Sequence, residues 1–319
     1  MAVMAADTTT TAAGSRPSRP FSVGSPPSKS SFPGFRRPPP FHATLFDATL
    51  MSNEPDPSAD LPPAERRRVV LLGASNVTRG ISTIVETAAR TVGGPLDFHA
   101  AFGHGRSLGL YTRVLGRGLC SLLDAGLWRA LEDEARPDAS YALVTDIGND
   151  LMYEVEPKII CRWVEKILAR CQSVARRVVV TELPLASIAR LGPRRYTFVR
   201  RVIFPRCRLS LDEAKRRAAV INEAIHRAAA ECGATVVGHE AAWYGFDPIH
   251  VRRAEFASAW ATILAPWNER GAAELARGSL RRWIYLGVIS PEKRAFFGIE
   301  RRRRQPAGRL ADGSTVSLY

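Results

Sequence analysis

Four short polar clusters in the sequence carry the chemical groups that acyl transfer requires. They are Gly73-Ala74-Ser75-Asn76, Gly103-His104-Gly105-Arg106-Ser107, Gly148-Asn149-Asp150 and Asp247-Pro248-Ile249-His250. Together they supply a hydroxyl, backbone donors, an amide side chain, an imidazole and a carboxylate. Acyl transfer needs a nucleophile, donors for the developing oxyanion, a base and a group that orients the base. The clusters therefore predict a serine-based site if the fold brings them together.

Ser75, His250 and Asp247 have the chemistry of a reacting centre. A serine hydroxyl is a weak nucleophile, and a neutral imidazole near pH 7 can accept its proton. Asp247 lies three residues before His250, so a tight turn can bring its carboxylate to the far ring nitrogen and fix the tautomer. Each group alone has a simpler explanation: a helix N-cap for Ser75, or a surface ion pair for the other two. Only the joint occurrence of the clusters favours catalysis.

Each of these clusters follows a segment with the pattern of a buried strand. Short apolar segments alternate with longer segments of helical periodicity, which is typical of a parallel sheet with helices on both faces. In such sheets ligands bind beyond the carboxyl ends of the strands. The sequence thus predicts a three-layer α/β/α sandwich with a five-stranded parallel sheet. The predicted strands are 68–72, 96–102, 141–146, 177–183 and 234–238, and the predicted helices are 79–92, 108–135, 157–175 and 211–232.

The ordered set of clusters resembles the SGNH hydrolases, also called GDSL-type esterases, over roughly residues 67–255. The resemblance implies the SGNH-hydrolase fold with flavodoxin-like strand order. It also implies an ester hydrolase that acts through an acyl-enzyme and requires no metal or organic cofactor. Its site would consist of Ser75 as nucleophile, His250 as base, Asp247 as the orienting acid, and Gly105, Asn149 and the Ser75 amide as the oxyanion hole.

The sequence departs from the family pattern at the first cluster. The family usually has Gly-Asp-Ser-Leu there, whereas Ala74 and Asn76 replace the Asp and Leu in this chain. We expect the local hydrogen bonds of that Asp to be lost, and the substrate preference stays open. Gly103 is an alternative match for the oxyanion glycine Gly105.

Three further residues flank the predicted site. His104, Arg106 and Asp150 are candidates for substrate binding. Solvated loop positions are the favoured explanation of His104 and Arg106, and a supporting position behind the site is the alternative for Asp150. The substrate implied is a small-molecule ester. Two other functions stay open, namely an acyltransferase that passes the acyl group to a sugar or alcohol, and a catalytically silent basic binding protein. A nucleotide loop is excluded because the P-loop lysine pattern and GxGxxG are missing.

Composition narrows the class of protein and its partners. The 45 Lys and Arg outnumber the 31 Asp and Glu, which gives a net charge of +14, but only five of the bases are lysine. We read the arginine excess as a composition bias and do not favour nucleic-acid binding. The five cysteines are odd in number and form no CxxC, which indicates reduced thiols. No secretory or membrane-spanning segment is evident, so the prediction is cytoplasmic; the sequence does not indicate the oligomeric state.

The chain is expected to have three parts. Residues 1–65 are rich in Pro, Ser, Thr and Ala and are predicted to be a disordered tail, which we interpret as an extension before a true start at Met51 rather than a transit peptide. Residues 66–265 would form the hydrolase domain, and residues 266–319 a C-terminal helical extension and a short hairpin. The basic, aromatic stretch 190–208 is either a lid or headgroup site, or a solvated loop. Around Trp283 and Leu286, packing onto the body is favoured over contact with a membrane surface.

Overall fold

The computed structural model describes residues 67–114, 116–132, 134–268, 273–296 and 299–319. The predicted tail of residues 1–65 and the alternative start at Met51 lie outside the described residues. The strands are β1 (Arg67–Leu72), β2 (Leu96–Ala101), β3 (Thr112–Val114), β4 (Arg117–Leu119), β5 (Ser140–Val144), β6 (Arg177–Thr181), β7 (Thr235–Val237), β8 (Lys293–Phe296), β9 (Ile299–Arg302), β10 (Gly308–Arg309) and β11 (Thr315–Leu318).

Helices surround the strands. They are α1 (Ser75–Val92), α2 (Leu127–Glu132), α3 (Gly148–Met152), α4 (Pro157–Val174), α5 (Leu185–Ala189), α6 (Pro193–Ile203), α7 (Leu211–Cys232), α8 (Phe256–Leu264) and α9 (Leu280–Val288). Short 3₁₀ turns lie at Ala241–Trp243, Arg253–Glu255 and Ala265–Trp267. No helix in the described part of the chain has the length and apolar character to cross a membrane.

The central sheet has the order β10-β11-β2-β1-β5-β6-β7. The five predicted strands pair in parallel as β2-β1-β5-β6-β7, so the predicted parallel sheet and its flavodoxin-like order are confirmed. The sheet has seven strands rather than five, because β11 adds in parallel to β2 and β10 pairs antiparallel with β11. β2 and β5 lie on opposite sides of β1, so the direction in which successive strands are added reverses at β1. Sheets of this kind bind ligands at that reversal, beyond the carboxyl ends of the strands.

Two apolar cores lie on opposite faces of the sheet. Successive side chains of a strand point to opposite faces, and β1 follows this rule: Val70 and Leu72 pack with residues of α4 and α7. Val69 and Leu71 pack with residues of α1 and α8 on the other face. All four side chains are fully buried. This explains why these four consecutive residues are all apolar, without the alternation of apolar and polar residues that a half-exposed strand shows.

The predicted helix at 108–135 is wrong. The segment forms turns, the antiparallel pair β3–β4 and then the short helix α2. Gly109, Gly116 and Gly118 disfavour a continuous helix, and Gly116 adopts a left-handed φ of 77°. β4 also pairs with β8, far along the chain, in a second sheet of order β3-β4-β8-β9. This distant pairing decides the local structure.

The C-terminal segment is built into the domain. β11 is a strand of the central sheet. The turn between β10 and β11 is closed by a hydrogen bond from the amide of Leu310 to the carbonyl of Ser314. In α9, Leu286 is 3% exposed, and the indole of Trp283 donates to the carbonyl of Thr78 on α1 at 3.3 Å. α9 therefore contacts α1, and β11 extends the central sheet.

Candidate active site

Ser75 lies at the sharp junction between β1 and α1. It is the first residue of α1 and is 8% exposed. Gly73 makes the sharp turn sterically possible, because a Cβ there would lie 2.4 Å from Cγ2 of Val77. The amides of a first helical turn have no acceptor within the helix, and they favour bound negative charge.

Ser75, His250 and Asp247 form a chain of hydrogen-bonded side chains. The Ser75 Oγ lies 2.9 Å from the His250 Nε2, although the two residues are 175 positions apart. The His250 Nδ1 lies 2.5 Å from the Asp247 Oδ2. The other carboxylate oxygen accepts the backbone amides of Ile249 at 3.1 Å and His250 at 3.3 Å, which fixes the turn that holds the imidazole.

The environment of Asp247 keeps it ionised. Burial opposes its ionisation, but the hydrogen bond from His250, the charge of that imidazole and the amides of Ile249 and His250 outweigh burial, so the pKa of Asp247 is lowered. A carboxylate next to Nδ1 favours the tautomer with the proton on that nitrogen, which leaves Nε2 free to accept a proton from a hydroxyl.

Asp146 supplies the carboxylate that the first cluster lacks. It lies just after β5 with a left-handed φ of 64°, a conformation that Asp tolerates better than most residues. Its Oδ2 accepts the amides of Ala74 at 2.8 Å, Asn76 at 3.0 Å and Val77 at 3.4 Å. The hydrogen bonds that an Asp at position 74 would make are absent, as expected, but Asp146 beyond a neighbouring strand provides an acceptor in its place.

Asn76 connects the serine turn to the histidine loop. Its Nδ2 donates to the Oδ1 of Asp146 at 2.7 Å and to the carbonyl of Ile249 at 2.9 Å. Its Oδ1 accepts the amide of Val251 at 2.9 Å. Asn76 thus holds both neighbours of His250 while it sits beside Ser75. Sequence reasoning missed this role, since the only signal was that an amide replaces the usual leucine.

Gly105 and Asn149 line the same cavity as Ser75. Gly105 has a φ of 69°, and its carbonyl accepts the hydroxyl of Tyr153 at 2.7 Å. The Asn149 Nδ2 donates to the carbonyl of Arg106 at 3.1 Å. Both residues line the cavity that contains Ser75 and His250, whereas the alternative Gly103 lines a different cavity. The cavity that each glycine lines therefore favours Gly105 over Gly103 as the candidate oxyanion glycine.

The three candidate substrate-binding residues separate in the structure. His104 lines the Ser75 cavity; burial, followed by the charges of His250, Arg79 and Arg117, lowers its pKa. Arg106 is 2% exposed and donates to the carbonyls of Tyr319 at 2.6 Å and Cys120 at 3.0 Å. It does not line the Ser75 cavity, and its contacts in the structure are with the protein itself; its role in substrate binding stays a prediction.

Asp150 is 1% exposed and does not line the Ser75 cavity either, so its role in substrate binding also stays a prediction. Its Oδ2 accepts the amide of Leu108 at 2.9 Å, and its Oδ1 is hydrogen-bonded to the hydroxyl of Ser107. Burial raises the pKa of Asp150 to about 6, although these two hydrogen bonds act in the opposite direction. The contacts of Asp150 therefore hold the loop that carries Gly105.

Two cavities meet at Ser75. The larger has a volume of about 1030 Å³, and the smaller one of about 60 Å³. Both cavities are lined by four shared residues, Ser75, Asn149, Met152 and Phe204. Phe204 follows α6, so the basic, aromatic stretch 190–208 reaches the site and forms part of its wall.

The described residues also settle the state of the thiols. All five cysteines are free, and Cys207 lines the larger cavity. Burial raises the pKa of Cys207, so it is a poor candidate for a thiolate nucleophile.

Within the described ranges, no group of three or more His, Cys, Asp or Glu side chains is arranged to hold a metal ion.

Comparison with known proteins gives matches only among solved structures. No family model matches the sequence, and no curated protein matches it. The structure is similar to TesA (13% identity, 64% of this chain and 99% of that one, TM-score 0.42). It is also similar to a member of the lipolytic protein G-D-S-L family from Veillonella parvula DSM 2008 (11%, 62% and 96%, 0.39) and to AlinE4, a SGNH-hydrolase family esterase (16%, 54% and 76%, 0.36).

Proposed function

We propose that this protein is a serine ester hydrolase of the SGNH type. The observation that carries the proposal is the hydrogen-bonded chain from the Ser75 Oγ through His250 to Asp247, at the carboxyl edge of a parallel sheet. A nucleophile within 2.9 Å of a base, with that base held by an ionised carboxylate, is the arrangement that activates a serine hydroxyl.

The first half of the reaction forms an acyl-enzyme. His250 Nε2 takes the hydroxyl proton of Ser75 as Oγ attacks the ester carbonyl carbon, and the carbonyl oxygen becomes an oxyanion. The tetrahedral intermediate collapses with loss of the alkoxy group, which leaves as the alcohol with the proton from Nε2. Asp247 stabilises the imidazolium between the two proton transfers.

Water completes the cycle. His250 deprotonates a water molecule, whose oxygen attacks the acyl carbonyl carbon. The second tetrahedral intermediate releases the carboxylic acid, and the proton on Nε2 returns to the Ser75 Oγ. Each step uses the same imidazole in alternating roles as base and acid.

Three donors would hold the oxyanion. The amide of Ser75 is in the first turn of α1, where the helix supplies no acceptor. The amide of Gly105 belongs to the loop that follows β2. The Nδ2 of Asn149 would exchange its bond to the carbonyl of Arg106 for one to the oxyanion. Preorganised donors of this kind are each worth about 100- to 1000-fold in rate.

The experiment compares two serines of the same helix. Ser82 is also in α1 and is 4% exposed, and its hydroxyl donates to the carbonyl of Ser279 at 2.9 Å. We expect Ser75→Ala to abolish turnover of 4-nitrophenyl acetate and labelling by a fluorophosphonate, while Ser82→Ala keeps both. Unchanged turnover and labelling in Ser75→Ala would refute the nucleophile assignment.

The same assay separates the two alternative functions. With a sugar or alcohol added, an acyltransferase would yield a new ester in place of the acid, by product analysis. A catalytically silent basic protein would show no Ser75-dependent labelling and would bind nucleic acid in a salt-sensitive manner.

A further inference from the structure

We propose that the preferred substrate is the ester of a short acid with a bulky, largely apolar alcohol. This inference rests on the proposed ester hydrolase function. It follows from the unequal size of the two cavities that meet at Ser75 and from the side on which His250 lies.

An ester bound for attack by Ser75 extends in two directions from its carbonyl carbon. One arm is the acyl group and the other is the alkoxy group. The structure offers the two arms very different spaces, about 60 Å³ on one side and about 1030 Å³ on the other. The assignment of each arm to a cavity therefore determines which part of the substrate can be large.

The position of His250 assigns the arms. The leaving alkoxy oxygen must receive its proton from the His250 Nε2, so this oxygen has to lie on the imidazole side of the carbonyl carbon. His250 lines the larger cavity and not the smaller one. The alcohol arm accordingly occupies the larger cavity, and the acyl arm enters the smaller one.

The smaller cavity holds only a few carbon atoms. One water-sized group needs a cavity volume of about 10–15 Å³, so a cavity of about 60 Å³ accepts roughly four to six such groups. Acetyl to butanoyl groups fit, whereas an octanoyl group does not. The walls are also firmly packed: Leu183 is 2% exposed, and the hydroxyl of Tyr244 lies 2.7 Å from His239 Nδ1. Burial lowers the pKa of His239 to about 4, so its imidazole is neutral and keeps this contact near pH 7.

The larger cavity suits an apolar alcohol. Its wall includes Val114, Ile203 and Phe204. Tyr111 also lines it and is 57% exposed, with Arg113 lying 5.8 Å from the centre of its ring. An aromatic alcohol would replace water on these apolar surfaces, which is favourable in proportion to the area covered.

An isomeric pair of esters tests the assignment. Benzyl acetate and methyl phenylacetate have the same atoms and similar intrinsic reactivity, but the large group lies on the alcohol in the first and on the acid in the second. We expect kcat/KM for benzyl acetate to exceed that for methyl phenylacetate by at least about 10-fold, the minimum discrimination of an ill-fitting methylene. Among 4-nitrophenyl esters, we expect the octanoate to fall below the acetate and butanoate by a similar factor.

Two variants locate the effect in the smaller cavity. Ile188 lines that cavity and is only partly buried, so Ile188→Ala should widen the cavity and raise the relative rate with the octanoate. Val114→Ala is the matched truncation in the larger cavity and should leave the ranking of acyl lengths as in the wild type. The wild-type comparison of the isomers decides the question even if one variant fails to fold.

The outcomes separate this inference from the function on which it rests. Failure to find any Ser75-dependent hydrolysis in the panel would overturn both the ester hydrolase proposal and this inference. Ser75-dependent hydrolysis that favours methyl phenylacetate, or that is as fast with the octanoate as with the acetate, would overturn the assignment of the arms and leave the hydrolase proposal standing.

Discussion

Asn76→Leu is the most informative single change in this protein, because it restores the side chain usual in the resembling family while removing the link to the histidine loop. The amide side chain of Asn76 makes three hydrogen bonds, to Asp146, to the carbonyl of Ile249 and from the amide of Val251. Leucine has the same branching at Cγ but is larger, and it can make none of these hydrogen bonds. The change therefore tests whether the loop that carries His250 depends on this residue.

The expected loss of stability follows from the groups left without partners. Val251 is 1% exposed, and a buried amide without an acceptor costs about 1–3 kcal/mol. The lost bond to the Asp146 carboxylate is worth about 1.5–3 kcal/mol. Because contributions in one network are not additive and the leucine adds apolar burial, we expect a net loss of about 2–4 kcal/mol in the free energy of unfolding.

The expected loss of activity is separate from the loss of stability. Since the carbonyl of Ile249 and the amide of Val251 flank His250, their release would let the imidazole move relative to the Ser75 Oγ. A misplacement of about 1 Å in a reacting group can cost about 100-fold. We expect kcat for 4-nitrophenyl acetate to fall by roughly 10- to 100-fold, with a smaller change in KM.

A core truncation provides the control. Ile225 on α7 is fully buried, and Ile225→Ala should lower the unfolding free energy by about 2–5 kcal/mol without change in kcat at temperatures where it stays folded. Urea unfolding and steady-state kinetics of both variants give the comparison. An Asn76→Leu variant whose kcat matches that of Ile225→Ala would refute the positioning role of Asn76.

Three further changes probe the oxyanion donors and the buried acid. Asn149→Ala should lower kcat by about 100- to 1000-fold with little change in KM, and a kcat within about 10-fold of the wild type would exclude this amide from the oxyanion hole. Gly105→Ala places a Cβ 2.8 Å from Cγ2 of Val114 at a φ of 69°; we expect at least about 100-fold loss of kcat, measured on protein shown to be folded by circular dichroism. Asp150 has a pKa of about 6 when folded against 3.8 as its ordinary value, so the stability that its protonated form contributes is present below about pH 3.8 and is lost as the pH rises through about 6. Urea unfolding should therefore show Asp150→Asn gaining up to about 3 kcal/mol on the wild type between pH 4 and 7, and a constant difference would contradict the raised pKa.

Much of the fold and the choice of candidate residues could be predicted from the sequence because both depend on local patterns. A strand that is buried on both faces has a continuous apolar sequence, as residues 69–72 do. In a parallel sheet the carboxyl ends of the strands share one edge, so polar clusters after several strands are expected to meet there. Ser75 and His250, 175 positions apart, could be paired from this edge together with the family resemblance.

Only the tertiary structure decided the features that depend on contacts between distant segments. The segment after Ser107 has no continuous helix, because β4 pairs with β8 and Asp150 holds the preceding loop. Asp146 replaces the missing carboxylate from a different strand, 72 positions from Ala74. The volumes of the two cavities likewise depend on how the residues after α6 fold back over Ser75. The physical reason is the same in each case: apolar periodicity is a property of neighbouring residues, whereas a hydrogen bond or a cavity wall between distant segments exists only after the chain has packed.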